Sequence, residues 1–420
     1  VGNYFAWPLV TDVWPWQYSG TQWKRTWPLG ETPQVLQARW RALARAAAPE
    51  RAALLKETPT CSVKRTALTF DWATELPSLA TVAADSEPVT PVRYGWRTLD
   101  RHWCLPDGRL CDRPRAGLWA MQSGSQVFMT SLISGVLGAG PAASISADVP
   151  DLHHFRGSFG GRDVIPLWRD AQATKPNLPA RLLAELKSQL GITVSAEDFL
   201  AYTYAVLSAP DYVSTFSEEL TVPGPRLPIT ADAALFSQAV ELGRKLVWLH
   251  TYGERFVPAG QQPGRIPAGA AKSVKGIPTA PDAYPESFGW TPDASDGAQG
   301  VLQVGAGQIA PVSRAAYAFS VSGYEVVKSW LAFRMKQRSG RKSSPLDDIR
   351  PAAWSAELSQ ELRQLLWVVE ATVALQPELN ALLAAILAGR TVGADQLTAP
   401  TASERCAPGA EGDAAQASLI

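Results

Sequence analysis

Apolar positions recur at helical spacing in several separate windows of this chain. After Thr32-Pro33, the residues Leu36, Trp40 and Leu43 fall on one face, and proline suits a first turn, so the spacing predicts a helix reaching Lys56. Leu182, Leu183, Leu186 and Leu190 predict an amphipathic helix over 179–190, stopped by Gly191. Ser195 and Asp198 form a capping-box-like start to the next helix, with Phe199, Tyr202 and Val206 on one face. Pro210 restarts a helix carrying Tyr212, Phe216 and Leu220. An extended link, Pro225-Arg226-Leu227-Pro228, follows, and Thr230 is expected to cap a longer helix through Leu235, Leu242, Leu246 and Leu249. Near the end, Leu358, Leu362, Leu365 and Val369 make a near-heptad stripe. Leu379–Leu387 repeat it, which predicts an antiparallel pair of helices.

Period-two alternation marks the strands. Arg93-Tyr94-Gly95-Trp96 and His102–Leu105 alternate, and Pro106-Asp107-Gly108 reads as a tight turn. Val127–Leu137 is short, apolar and flanked by glycine, which favours a strand. Asp163–Trp168 reads as an extended edge, because its proline has no N–H for a central ladder. Val301–Val304 and Gln308–Val312 flank Gly305-Ala306-Gly307 as a hairpin, with Tyr317, Phe319 and Val321 expected as a third strand. After Gly323, Val327, Trp330, Leu331 and Arg334 predict a helix, and Ser344-Pro345-Leu346-Asp347 another start.

The elements add up to an α+β fold: a central, partly antiparallel sheet with flanking helices and a helical C-terminal subdomain. The expected divisions are a Trp/Pro-rich N-terminal segment with one helix over 1–90, a main domain over 91–390, and a disordered tail over 391–420. Residues 257–300, rich in Pro, Gly and Ala, read as a long surface excursion.

Composition changes this picture in two places. Hydrophobic residues at 46% and charged residues at 19% support a sizeable core, and the 16 tryptophans are unusual, with Trp7, Trp14, Trp16, Trp23, Trp27 and Trp40 clustered at the start. A formal net charge of zero argues against holding nucleic acid by global charge, but the cations are unevenly placed. Residues 93–115 hold six Arg against three Asp, 244–275 hold six Lys or Arg against one Glu, and 328–350 hold seven against two Asp. Such stretches suit the phosphates and guanine edges of a duplex, or else solvated faces and Arg–Asp pairs.

Catalytic chemistry is not legible. The chain has no apolar strand ending in a methyl-donor glycine turn, no Asn-Pro-Pro-Tyr-like loop and no Walker A sequence. Asp347-Asp348 reads as helix-start acids, and His250 with Glu254-Arg255 as a helix end. His153-His154 reads as structural. His102, Cys104 and Cys111 match no zinc spacing, so no metal is expected. Cys61, Cys104, Cys111 and Cys406 lack the spacing of a disulfide framework, which suits a reducing cytoplasm. No signal peptide is evident, and no run of about eighteen apolar residues marks a membrane span. The opening at Val1, directly into a Trp/Pro-rich segment, reads as a start inside a larger protein.

Several segments resemble, in order, the C-terminal specificity domain of type ISP restriction-modification enzymes. They are Tyr94-Gly95-Trp96-Arg97-Thr98-Leu99-Asp100-Arg101-His102-Trp103, Val164-Ile165-Pro166-Leu167-Trp168, and the Ala201–Leu207 helix with Ser208-Ala209-Pro210-Asp211-Tyr212. Pro225-Arg226-Leu227-Pro228, the Leu235–Leu249 helix, and Ser322-Gly323-Tyr324 leading to Lys328-Ser329-Trp330-Leu331 follow. Upstream, Ser19-Gly20-Thr21-Gln22-Trp23-Lys24-Arg25 resembles the segment joining methyltransferase to reader. The resemblance implies a double-stranded DNA target-recognition module. The adenine-N6 methyltransferase using S-adenosylmethionine would lie in cis outside this sequence or on a separate subunit, with no cofactor held here. Lys24 and Arg25 would then touch backbone near the junction, and Arg97, Arg101, Arg113 and Arg115 would lie along the groove. Arg314 on the hairpin unit would reach a base, and Lys328 and Arg334 would complete the set. The competing expectations are a carbohydrate-binding module using tryptophan platforms or an enzyme with an unfamiliar site.

Overall fold

A computed structural model of the chain describes residues 4–156, 163–337 and 342–408. Helices and antiparallel strands share the molecule, as the α+β reading expects, and the strands are distributed over several small sheets.

The Arg93–Trp96 alternation lies in a hairpin of Val92–Arg97 with Asp100–Cys104, extended by Leu29–Gly30 beyond Asp100–Cys104. A second sheet has Phe128–Ser131 at its centre, between Ala143–Ser146 and Val164–Pro166. Pro166 stands on an edge strand, where its missing N–H breaks no ladder. The third and largest sheet runs Lys272–Lys275, Gly307–Ser313, Gln299–Val304, Phe288–Pro292. Its central hairpin is the predicted one, but the outer strands come from the 257–300 excursion. The expected third strand is absent: Arg314–Tyr317 is one helical turn, and Ser320–Val321 pairs only with Tyr324–Glu325. Ser313 ends the ladder by accepting a hydrogen bond from the Ala316 N–H at 3.0 Å, which turns the chain into helix before alternation can resume.

The helical layer follows its capping signals. Ser195 and Asp198 form a reciprocal capping box on Ala196–Ser208. Asp232, one step beyond the link, caps Ala233–His250 by accepting from the N–H groups of Ala234 and Leu235; Thr230, expected as the cap, lies instead in the short strand Ile229–Thr230. The two helices approach closely at Gly243, where an added Cβ would stand 1.9 Å from the Ala201 carbonyl oxygen. The C-terminal stripe belongs to one continuous helix, Ala356–Ala388, with Pro377 inside it. Apart from Pro377, no turn residue lies between the two leucine stripes, and the chain runs through it as one helix without reversing. That helix is long and apolar enough to span a membrane by composition, yet Leu362, Leu365, Leu366, Val369 and Ile386 are fully buried in the main core.

Two expectations about the ends change. Residues 391–408 are structured: Thr391–Val392 pairs with Ile229–Thr230, Arg405 meets Asp12 at 2.7 Å, and the Glu404 carboxylate accepts from the Ala180 N–H. Residues 409–420 lie outside the described part. The six early tryptophans are buried in the chain's own cores: Trp14 stacks on Phe199 with centroids 5.5 Å apart, and Trp7 donates to Thr391 at 2.9 Å. This N-terminal segment is therefore an integral layer of the fold.

Candidate nucleic-acid interface

The expected interface cations and the three basic stretches divide into cations consumed by the fold and cations left on its surface. Arg25 is consumed. Its guanidinium donates to the carbonyls of Trp23, Leu55, Lys56 and Leu110 and pairs with Asp112 at 2.9 Å, fully buried. Arg97 is buried against Asp151 at 2.8 Å and lies 3.6 Å above the Trp96 ring. Arg334 is buried against Asp100 at 2.7 Å. A buried charge persists only when paired and hydrogen-bonded, and a five-donor fork suits points where chain segments converge. These three, expected at the interface, hold the interior together and present no surface for DNA. Arg109 with Asp107, and Arg255 with the carbonyls of Ser123, Gln126 and Ala147, do the same.

Lys24, Arg113 and Arg115 stay accessible and fall on one strip. Gln22 and Arg113 exchange backbone hydrogen bonds at 3.0 Å, and Thr21 donates to the Pro114 carbonyl, so the Ser19–Arg25 segment runs beside Arg113–Arg115. Arg113 is exposed, Arg115 lies 5.2 Å above Tyr18, and half-exposed Lys24 approaches Asp112 only at 3.8 Å. Gly20 allows this segment to press on residue 151: a Cβ there would meet the Asp151 carbonyl at 2.3 Å.

A second group forms where the largest sheet meets the helical turn Arg314–Tyr317 and helix Val326–Ala332. Arg314 stands 5.0 Å from the Trp290 ring, Trp290 stacks on Tyr317 at 6.1 Å and 17°, and the Lys328 ammonium lies 5.2 Å from Tyr317. The row therefore runs cation, ring, ring, cation. Trp290 is fixed by its indole N–H on the Val312 carbonyl at 2.9 Å. The Glu370 carboxylate accepts from the Ser313 N–H and hydroxyl at 2.7 and 2.8 Å, which anchors the turn carrying Arg314 and Tyr317 to the long helix. Lys328 also pairs with Glu325. Trp290 and Tyr317 were not anticipated as site residues. They stand 27 positions apart, and the usable signal was the i, i+3 spacing of Arg314 and Tyr317, legible only once that segment is known to be helical.

Arg265, Lys272 and Lys275 are further accessible cations. They are exposed and make no ion pair among the described residues. Lys272–Lys275 is exposed at every residue, with Val274 at 66%, on the edge of the sheet. In the third basic stretch, Lys336 pairs with Glu286 and Lys342 with Asp348, while Arg338 and Arg341 lie outside the described residues. Arg101 lies 3.8 Å from the centre of the Tyr252 ring and lines a cavity.

An α+β scaffold with surface cations supported on aromatic rings is the class of molecule these features define. The chain belongs to the type ISP C-terminal specificity domain family, whose pattern matches residues 12–366. Three solved structures share the fold, each with a TM-score of 0.55. They are a nuclease-deletion mutant of the type ISP restriction-modification enzyme LlaGI in complex with a DNA substrate mimic (16% identity), a DrdV–DNA complex (15%), and the ATP-dependent type ISP enzyme LlaBIII bound to DNA (14%). The likeness covers 91%, 88% and 87% of this chain but only 29%, 36% and 23% of those chains. No match is found among curated proteins.

Proposed function

We propose that this chain reads a target sequence in double-stranded DNA as the specificity part of a type ISP restriction-modification system. The observation that carries the reading is the row Arg314–Trp290–Tyr317–Lys328, within a chain of the specificity-domain family. Arg314 donates from Nε and Nη2 to the Gly297 carbonyl at 3.4 and 3.3 Å, and its remaining N–H groups suit phosphates or the O6 and N7 acceptors of guanine in the major groove. Lys24, Arg113 and Arg115 would hold backbone beside the segment that resembles the family's junction, and Lys272 and Lys275 would add phosphate contacts. The three fold relatives were solved with DNA or a DNA mimic, which supports the same direction. Methyl transfer to adenine N6 from S-adenosylmethionine belongs, in this reading, to a methyltransferase region in cis or on a partner subunit. The four free cysteines suit work in a reducing cytoplasm.

The carbohydrate reading loses its support, because the tryptophans at the start are buried and offer no sugar-stacking face. Fluorescence anisotropy with random and genomic duplexes tests the DNA reading. Binding should weaken steeply as salt rises, and a chain that binds no duplex at low ionic strength would overturn it.

A further inference from the structure

A cavity of about 370 Å³ opens between the hairpin of Val92–Arg97 and Asp100–Cys104, the end of strand Ala143–Ser146, and the C-terminal end of helix Ala233–His250. Its size falls in the range of about 300–1,000 Å³ that holds small ligands. Its polar groups are unusual in how they are left. Arg101 is only partly covered and lies 3.8 Å from the centre of the Tyr252 ring, yet its guanidinium makes no hydrogen bond or ion pair among the described residues. The ring beneath it is fixed, because the Tyr252 hydroxyl donates to the Leu99 carbonyl at 2.6 Å.

Asp148 also lines the cavity. Its backbone is pinned from both sides: its N–H donates to the Ser146 hydroxyl at 3.0 Å, and that hydroxyl donates to the Asp148 carbonyl at 2.7 Å. The carboxylate itself has no hydrogen bond or ion pair among the described residues. Arg101, Arg93 and Arg255 act on it as favourable charges and Glu254 as an unfavourable one, while burial raises its pKa above the usual carboxylate value. Arg255 has its donors on backbone carbonyls, and Arg93 pairs with Glu361 while its Nη1 stays buried without a partner. A carboxylate and a donor fork thus line one partly open cavity, neither with a hydrogen bond or ion pair to the protein among the described residues. The arrangement is preorganised for a ligand that brings acceptors and donors together.

We propose that this cavity binds a guanine ring, with Arg101 donating to O6 and N7 and Asp148 accepting from N1–H and the exocyclic amine. Guanine offers two adjacent donors to a carboxylate together with two acceptors to a guanidinium. Adenine places an acceptor at N1 instead, and thymine presents a single ring N–H between two carbonyls. The ring has two possible sources, a guanine turned out of a DNA strand or a free guanine nucleotide. The first rests on the DNA reading above; the second does not.

The test uses the full chain. Calorimetry measures GMP, IMP and AMP, and anisotropy compares duplexes holding guanine or adenine opposite an abasic site with an intact duplex. GMP should bind at least about tenfold more tightly than AMP, a difference of about 1.4 kcal/mol, with IMP between them because it lacks the exocyclic amine. Asp148→Asn should lose that preference, and Arg101→Lys, which keeps charge but not the fork, should weaken GMP by a similar factor. A preference in nucleotides alone assigns the free nucleotide, and one that extends to guanine opposite the abasic site assigns the turned-out base. Equal affinity for GMP and AMP, or unchanged GMP binding by Asp148→Asn, overturns the site. Loss of intact-duplex binding with GMP discrimination retained sinks the DNA reading and leaves the guanine site standing.

Discussion

The Arg334 guanidinium meets the Asp100 carboxylate at 2.7 and 3.1 Å, with both side chains buried and 234 positions of sequence between them. Arg334 also rests 3.8 Å above the Trp330 ring and donates to the Trp330 carbonyl. The pair clamps the Asp100–Cys104 strand to the segment that follows helix Val326–Ala332. Burial raises the Asp100 carboxyl, and Arg334 and His102 more than reverse that, holding it well below the usual carboxylate range.

Removing one partner strands the other charge in the core. Arg334→Met and Asp100→Asn should each destabilise the chain by about 3–5 kcal/mol, with the double variant losing less than the sum. Urea unfolding measures this. The Asp100 contribution is present above the ordinary carboxylate range and fades as pH falls toward the depressed folded value. An Arg334 that contacted DNA would instead lower the salt slope of binding and leave stability intact.

Two buried histidines set a milder pH response. His250 lies between the Tyr204 hydroxyl at 2.6 Å and the Thr372 hydroxyl at 2.8 Å, and His154 meets the Thr130 hydroxyl at 2.9 Å. Burial pulls both down to about 3, and Arg97 adds to the effect at His154. Below about 6.5 the unfolded chain takes up protons that the native histidines refuse, so acidification favours unfolding. Stability should fall by about 1.4 kcal/mol per pH unit for each histidine between roughly pH 6 and 4. Half-buried His153 shifts in the same direction. Urea midpoints at pH 7 and 5 test the slope, and His154→Gln with His250→Gln should flatten it.

Gly243→Ala probes the tightest helix contact. Its Cβ would fall 1.9 Å from the Ala201 carbonyl oxygen, which is backbone and cannot swing aside. The two helices must separate, and the expected loss is about 1–3 kcal/mol or more despite alanine's better helix propensity. Thermal denaturation reads it directly.

Duplex binding should separate positioning cations from reading ones. Lys272→Ala and Lys275→Ala should weaken all sequences alike, each lowering the salt slope by about one. Arg314→Ala should instead cut the preference for target over random duplex, by about 1–3 kcal/mol. Anisotropy titrations at several salt concentrations distinguish the two patterns. A uniform loss from Arg314→Ala would make it a phosphate contact.

Much of the local structure was legible because it is decided within a few residues. The Ser195–Asp198 capping box, Gly191 as a helix stop, Pro166 on an edge strand and the hairpin around Gly305 need only neighbours in sequence. The misreadings came where a local signal was ambiguous. Tyr317, Phe319 and Val321 alternate, but the Ser313 cap commits the chain to a helical turn first. Thr230 and Asp232 are both good caps, and pairing of Thr230 with Thr391 leaves the role to Asp232.

The sequence by itself determined most of the helices and the main hairpins, the α+β class and the ordered segments that mark the family, because periodicity, caps and turn residues act over short range. Which arginines face solvent was decided by the tertiary structure alone. Arg25 and Arg113 are indistinguishable as letters, yet one is sealed among four carbonyls and Asp112 while the other stands exposed. Their surroundings come from segments far along the chain, and the free energy of a charge depends on whether those segments supply partners or leave it to water.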